Sequence, residues 1–275
     1  MVKLLFLGSG SAFTLGADNY QSNMLLTHGD RCLLIDCGSD IRFSLHAQGL
    51  SYRDLTDIFI SHLHADHVGG LEYVGMSSCF DPSCDRPRLI ISEEISADLW
   101  ERTLSGGMRS VGNRLMKMSD YFDVETFRHE NQFRWQRLTF QPRRLVHIDN
   151  GYFTMPSYGL GFEADGLKIF ISTDTQLHWE LVDSVFKWAD LIFHDCETAT
   201  FPTKVHAHYH ELQKLPPAIR QKMWLYGYQP GVLPNATSDG FQGFVQRSQL
   251  FDFAEVANLR SVKLGIDAIS PQLVS

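Results

Sequence analysis

The chain has 275 residues, is 44% hydrophobic and carries a formal net charge of −8. That length suits one large domain, read here as a single unit over residues 1–275 built from two β-rich halves. The acidic balance disfavours a long nucleic-acid surface, which works by neutralising phosphates, and no stretch approaches the length of a membrane span.

Residues 2–7 read as a first buried strand, too brief an apolar run for a signal peptide. The strand ends in Gly8-Ser9-Gly10-Ser11. No Lys follows, so this is not a phosphate loop of the Walker type, and a tight turn beside the site is expected. Residues 21–28 and 31–36 form a hairpin across Gly29-Asp30. Residues 40–49 look helical. Residues 57–61 are a buried strand. Leu89-Ile90-Ile91 is a short strand, and Ser92 opens a helix as its cap. Residues 105–135 either cover a pocket, meet a second subunit or form a surface excursion. Strands are expected at 137–141 and 144–148, then a hairpin of 159–163 and 167–172 around Asp165-Gly166. Residues 177–187 suit a helix, 191–193 a strand, and 209–222 a helix interrupted by Pro216-Pro217. Residues 223–226 are a last short strand. The five cysteines are odd in number and irregularly spaced, which points to reduced thiols and a cytoplasmic protein. Cys79 and Cys84 as a metal pair is the minor alternative. Arg134, Arg137, Arg143 and Arg144 read as a solvated loop, with contact to substrate phosphate as the other reading.

The segment His62-Leu63-His64-Ala65-Asp66-His67 places four potential ligands within six residues, directly after a strand. Such a group is a poor way to build a core and a good way to hold Zn²⁺ or a similar ion. His62 and His64 point the same way on an extended backbone. Asp66 and His67 turn onto a helix and reach a second ion. Two adjacent ions lower the pKa of a shared water and supply a nucleophile at neutral pH. His147, after Arg144-Leu145-Val146, reads as a further ligand rather than a structural histidine. Asp174, after Ser172-Thr173, reads as a carboxylate bridging two cations rather than a helix cap.

These pieces resemble the metallo-β-lactamase superfamily, and within it the ribonuclease Z-like phosphodiesterases. The likeness is carried by Leu7–Ala12, Leu34-Ile35-Asp36-Cys37-Gly38, the His62–His67 cluster, His147 and Ile171–Asp174. It continues through His194-Asp195-Cys196-Glu197 and the region from His206 to Tyr228. The resemblance implies an α/β (α+β) fold, a four-layered αββα sandwich. It implies that His62, His64 and His147 hold one ion, Asp66 and His67 the other, and that Asp174 bridges them. Asp66 and His206 are then the catalytic candidates, with His206 beside the leaving group. His208, Tyr209 and Ser9 are candidate substrate contacts. The cofactors are two divalent ions, Zn²⁺ with Mn²⁺ as the alternative. One departure stands out. The family usually places a final metal-binding histidine where this chain has Gly227, in Leu225-Tyr226-Gly227-Tyr228. The second site is expected to be weak and turnover slow, unless a nearby histidine or water fills the gap.

The substrate follows from the same resemblance. Ribonuclease Z proteins insert a tRNA-gripping arm between the equivalents of His147 and Asp174, and here only 26 residues lie between them. The chain looks most like the compact cyclic-nucleotide phosphodiesterases, including the anti-Pycsar enzymes with which phages evade bacterial defence. This implies a homodimer that opens 3′,5′-cyclic nucleotides to nucleoside 5′-monophosphates. The partners expected are thus a small nucleotide and a second copy, with no membrane and no long nucleic acid. The alternatives are an RNA 3′-end endonuclease and a non-catalytic nucleotide-binding relative. Tyr121, Phe122, Phe153, Tyr158 and Tyr209 are the aromatics considered for base stacking.

Overall fold

A computed structural model describes residues 1–15 and 18–260. Strands with both faces buried read as near-continuous apolar runs, and this chain shows why. In Asp57–Ile60 the ring of Phe59 points into one core, while Ile58 and Ile60 point the other way into a second. Two seven-stranded sheets are built on this plan. The first runs in the order Leu250–Asp252, Val2–Phe6, Met24–His28, Arg31–Ile35, Asp57–Ile60, Arg88–Ser92, Asp123–Phe127. The second runs Gly243–Phe244, Met223–Tyr226, Leu191–Asp195, Leu167–Ile171, Thr154–Ala164, Leu138–Asp149, Phe133–Trp135.

Three apolar layers separate four structural ones. The central layer joins the inner faces of the sheets through Phe6, Phe59, Phe140, Phe162 and Phe193. A second layer packs helical segments on the first sheet through Leu34, Ile58 and Leu71. A third does the same for the second sheet through Phe186, Ile192 and Leu225. This is the expected αββα sandwich. Each sheet has parallel strands beside its midline, Arg31–Ile35 with Asp57–Ile60, and Leu167–Ile171 with Leu191–Asp195 and Met223–Tyr226. The residues that follow these strands carry the chemistry.

The expected strands 137–141 and 144–148 prove to be one strand, Leu138–Asp149. Pro142 does not break it, because the edge strand Phe133–Trp135 pairs only as far as Phe140. The missing N–H therefore removes no bond on that side. The expected helix at 177–187 is a short 3₁₀ turn at Trp179–Leu181 followed by π-type turns at Val182–Phe186. The region 105–135 does not cover the His62–His67 cluster. Its first part packs on the outer side of the first sheet through Met108, Tyr121 and Phe122, with Leu115 and Met118 lining a groove of about 880 Å³ beside Trp100; it then adds the edge strands Asp123–Phe127 and Phe133–Trp135, whose Phe127, Phe133 and Trp135 enter the central layer. Three of the four arginines are paired: Arg137 with Asp165, Arg143 with Glu130 and Arg144 with Glu94. All five cysteines are free. No helix among the described residues is long and apolar enough to cross a membrane.

The central layer fixes where the ligand-bearing strand ends. Phe59 stacks on Phe133 at 5.7 Å and on Phe127 at 6.1 Å. Phe59→Ala is expected to lower the unfolding free energy by about 3–5 kcal/mol. Phe80→Ala, at an exposed helix end, is expected to change it by less than about 0.5 kcal/mol. Denaturant titration of both variants checks this, and equal effects would contradict the core assignment.

Candidate metal centre

The strand Asp57–Ile60 delivers Ser61 and then His62, which is wholly buried. His64 stays extended and caps the helix Ala65–Val68, so Asp66 and His67 project from its first turn. His147 arrives from the other sheet. The ladder slips there: Val146 faces Pro156 and Ile148 faces Met155, which leaves His147 as the extra residue of a bulge. A bulge re-aims the side chain it carries. Asp174 follows the strand Leu167–Ile171 through Thr173, whose φ is +55°. A β-branched residue rarely adopts that conformation. It persists only where its surroundings enforce it, and here Thr173 Oγ1 lies 2.8 Å from Ser157 Oγ.

Three imidazoles meet. His62 Nε2 and His147 Nε2 each lie 3.1 Å from His64 Nδ1. The outer nitrogens of two rings are engaged elsewhere: His147 Nδ1 donates to the Val205 carbonyl at 2.8 Å, and His62 Nδ1 lies 3.0 Å from Ser61 Oγ. His64 Nδ1 carries at most one proton, so the three rings cannot all satisfy one another. A divalent cation among them can. Burial keeps all three neutral, pushing His62 well down, His147 to about 4 and His64 down. Ligand imidazoles must be neutral.

The second donor set lies beside the first. His67 Nε2 is 3.1 Å from Asp66 Oδ2 and 3.2 Å from Asp174 Oδ2. Its Nδ1 is held at 2.7 Å by Asp36 Oδ2. Burial opposes charge on His67, but Asp174, Asp66 and Asp36 outweigh it and raise the imidazole well above its ordinary value. Burial likewise opposes charge on Asp174, yet the His67 imidazole holds its carboxyl well below the usual range. Among the described residues, His62, His64 and His147 form one group of convergent donors, and His62, His67 and Asp174 another. A third group adds His206 to His147 and Asp174.

Residues 2–251 match the family described as Anti-Pycsar protein Apyc1. The chain belongs to this family. It is 35% identical over 244 residues to the Apyc1 protein of Paenibacillus harenae, covering 86% of this chain and 91% of that protein. It is 31% identical over 263 residues to that of Bacillus phage vB_BveM-Goe7, covering 92% and 95%. The fold is that of the metallo-β-lactamase-fold protein YhfI of Bacillus subtilis, with a TM-score of 0.71 at 14% identity over 92% of this chain and all of that one. Human tRNase Z, short form, has the same fold, with a TM-score of 0.65 at 20% identity over 91% and 98% of the two chains. Family, fold and donor sets together make this chain a metal-dependent phosphodiesterase.

In this Apyc1-family chain His206 stands beside the metal donors, its ring 4.8 Å from that of His147. Its Nδ1 is 2.7 Å from Asp195 Oδ2 and 3.7 Å from Asp174 Oδ2. Burial disfavours the imidazolium, but Asp195 raises it to about 10. The loop that carries His206 is pinned on both sides, by Glu197 N to the Ala207 carbonyl and Tyr209 N to the Glu197 carbonyl.

Three candidate substrate contacts are buried and engaged in bonds within the protein. Ser9 is buried, with its hydroxyl 3.0 Å from the Tyr228 hydroxyl and bonded by Asn19. Its carbonyl accepts from Gly227 N, so the glycine-rich turn ties the first strand to the end of Met223–Tyr226. His208 caps the helix Tyr209–Leu212, and its other nitrogen bonds the Ala199 carbonyl. Tyr209 is buried, with its hydroxyl on Asp239. Tyr121, Phe122 and Tyr158 are core residues, which leaves Phe153 as the one exposed member of the aromatic set.

Sequence reasoning passed over Asp36, Ser61 and Asp195 as site residues. Asp36 has φ +63° and accepts three bonds, from Ser61 N, Ser61 Oγ and His67. The signal was available, since both Asp36 and Asp195 end a buried strand as Asp174 follows one. Asp36→Asn keeps a side chain that tolerates this backbone while replacing the carboxylate. Metal affinity at the His67 site is expected to fall about 10–100-fold, read by competition with a chromophoric chelator. Unchanged affinity would show that Asp36 does not orient the ligand.

Proposed function

We propose that the chain opens 3′,5′-cyclic nucleotides to nucleoside 5′-monophosphates at a dinuclear centre and so counters cyclic-nucleotide signalling in bacterial defence. The carrying observation is the adjoining donor groups, the first two sharing His62 and the second and third sharing Asp174, with His206 in the third. His62, His64 and His147 would hold one divalent ion, and Asp66, His67 and Asp174 would hold the second, with Asp174 near enough to serve both. Zn²⁺ or Mn²⁺ suits these donors. Bound there, such ions supply Lewis acidity to a phosphoryl oxygen and an activated water.

The chain's own residues do the rest. Asp195 holds Nδ1 of His206, which leaves Nε2 for the substrate. As the bond from phosphorus to O3′ breaks, Nε2 donates its proton to the departing oxygen. Water supplies the oxygen gained by phosphorus, and its proton restores the balance. Asp36 keeps His67 aimed inward, and the Val205 carbonyl does the same for His147. A small substrate fits the short turn at 150–153, which joins Leu138–Asp149 to Thr154–Ala164 and leaves no room for an RNA-gripping arm. Phe153 lies on that turn, and its exposed ring offers a face for a nucleobase. A second copy of the chain completes the assembly, as the resemblance to homodimeric phosphodiesterases implies.

The test is product analysis by chromatography. With Mn²⁺ or Zn²⁺ and a panel of 3′,5′-cyclic nucleotides, 5′-monophosphate is the expected sole product. Chelation is expected to abolish it and readdition of metal to restore it. His206→Ala is expected to lower kcat by about 10²–10⁴ with metal content intact. A fully loaded protein that leaves every cyclic nucleotide untouched would sink the proposal.

A further inference from the structure

The inference concerns how His147 is held, and it rests on the reading of His147 as a ligand of the first ion. His147 is the extra residue of a bulge. A bulge interrupts its ladder locally, so the peptide groups around the extra residue need partners from elsewhere. The edge strand Phe133–Trp135 does not supply them, because its pairing ends at Phe140. The segment that follows Asp174 does. Val146 N donates to His178 Nε2 at 3.1 Å. The Val146 carbonyl accepts from Gln176 N at 3.2 Å and from Thr175 Oγ1 at 3.4 Å. The His147 carbonyl accepts from Gln176 Nε2 at 3.1 Å. The segment is itself anchored at Thr175, whose N donates to Asp195 Oδ2 at 3.0 Å and whose carbonyl accepts from Ala207 N at 2.8 Å.

Within this clamp the His178 side chain is committed to the bulge. It directly precedes the 3₁₀ turn Trp179–Leu181, yet its side chain makes no capping bond there. It is only 15% exposed. Its Nδ1 lies 2.8 Å from Glu180 Oε1. A carboxylate only accepts, so Nδ1 carries the proton and Nε2 of the neutral ring is left as an acceptor. That is the partner the Val146 N–H requires. Nε2 also lies 3.3 Å from the Val146 carbonyl, but that oxygen already has Gln176 N and Thr175 Oγ1 as donors.

One peptide link joins Val146 to His147, so a bond at Val146 N bears directly on where the ligand's backbone sits. The ring is tethered separately, with Nδ1 on the Val205 carbonyl at 2.8 Å. Held at both places, its Nε2 stands 3.1 Å from His64 Nδ1. We propose that His178 is a positioning residue of the metal centre, which accepts from Val146 N and so holds the bulge that aims His147 at the first ion. Glu180 sets the tautomer that makes this possible.

The experiment titrates the metal-stripped full chain with Zn²⁺ against a fluorescent zinc indicator. The step lost in His147→Ala marks the first ion. His178→Ala is expected to weaken that step about tenfold, the low end for outer partners of metal ligands, and to leave the other step unmoved. His178→Phe keeps a ring of similar volume without its acceptor. It is expected to show the same loss, and it serves as the test where His178→Ala does not fold. His178→Gln, whose amide oxygen can accept from Val146 N, is expected to bind the first ion more nearly like the unaltered chain than like His178→Ala. The proposal is overturned by unchanged first affinity in folded His178→Ala or His178→Phe. Equal weakening of both steps, which a merely structural role would give, also overturns it, as does a loss in His178→Gln as large as that in His178→Ala. Absence of all binding by the unaltered chain would overturn the metal reading and this proposal with it.

Discussion

The bond from His67 Nδ1 to Asp36 fixes which nitrogen of a buried imidazole faces Asp66 and Asp174. Everything at the second site depends on that choice. Were the ring turned, Nε2 would no longer lie between Asp66 and Asp174. Asp36 also takes both the amide and hydroxyl of Ser61, whose hydroxyl in turn touches His62. A single carboxylate thereby orders ligands of both donor sets. Metal centres generally rely on such partners, and here the partner comes from a neighbouring strand of the same sheet.

Backbone strain is part of this design. Asp36 and Thr173 both sit at positive φ just after parallel strands of their respective sheets. In each half the chain turns sharply where regular pairing ends. The turn converts a strand that would run past the cleft into one that places a carboxylate in it. His147 is aimed by a different device, a bulge within an antiparallel ladder. The cleft is thus assembled from local departures, while the regular ladders and three apolar layers hold the departures in place.

Proton placement follows from the same burial. The three imidazoles of the first set are kept neutral because few charges compensate their removal from water. His206, only a ring away, is held protonated because Asp195 faces it. The first donor set thus differs from His206, and from His67 with Asp36, in having no carboxylate behind its rings. Chemically identical side chains acquire different roles within one cavity.

Much of this was legible in the sequence. The spacing of His62, His64, Asp66 and His67 after an apolar strand specifies donor types and their order, because ligand chemistry depends on residue identity. Apolar runs at 2–7, 57–61 and 191–193 mark buried strands for the same reason. The glycine at 227 was visible as a gap in the donor set. What only the tertiary structure decided is which atoms face one another. Ser9, His208 and Tyr209 have suitable chemistry but are turned to structural bonds, and Asp195 is turned to the space beside Gly227. Side-chain direction is set by bulges, positive-φ turns and neighbours more than a hundred residues away, and a local pattern of residue types carries no record of them.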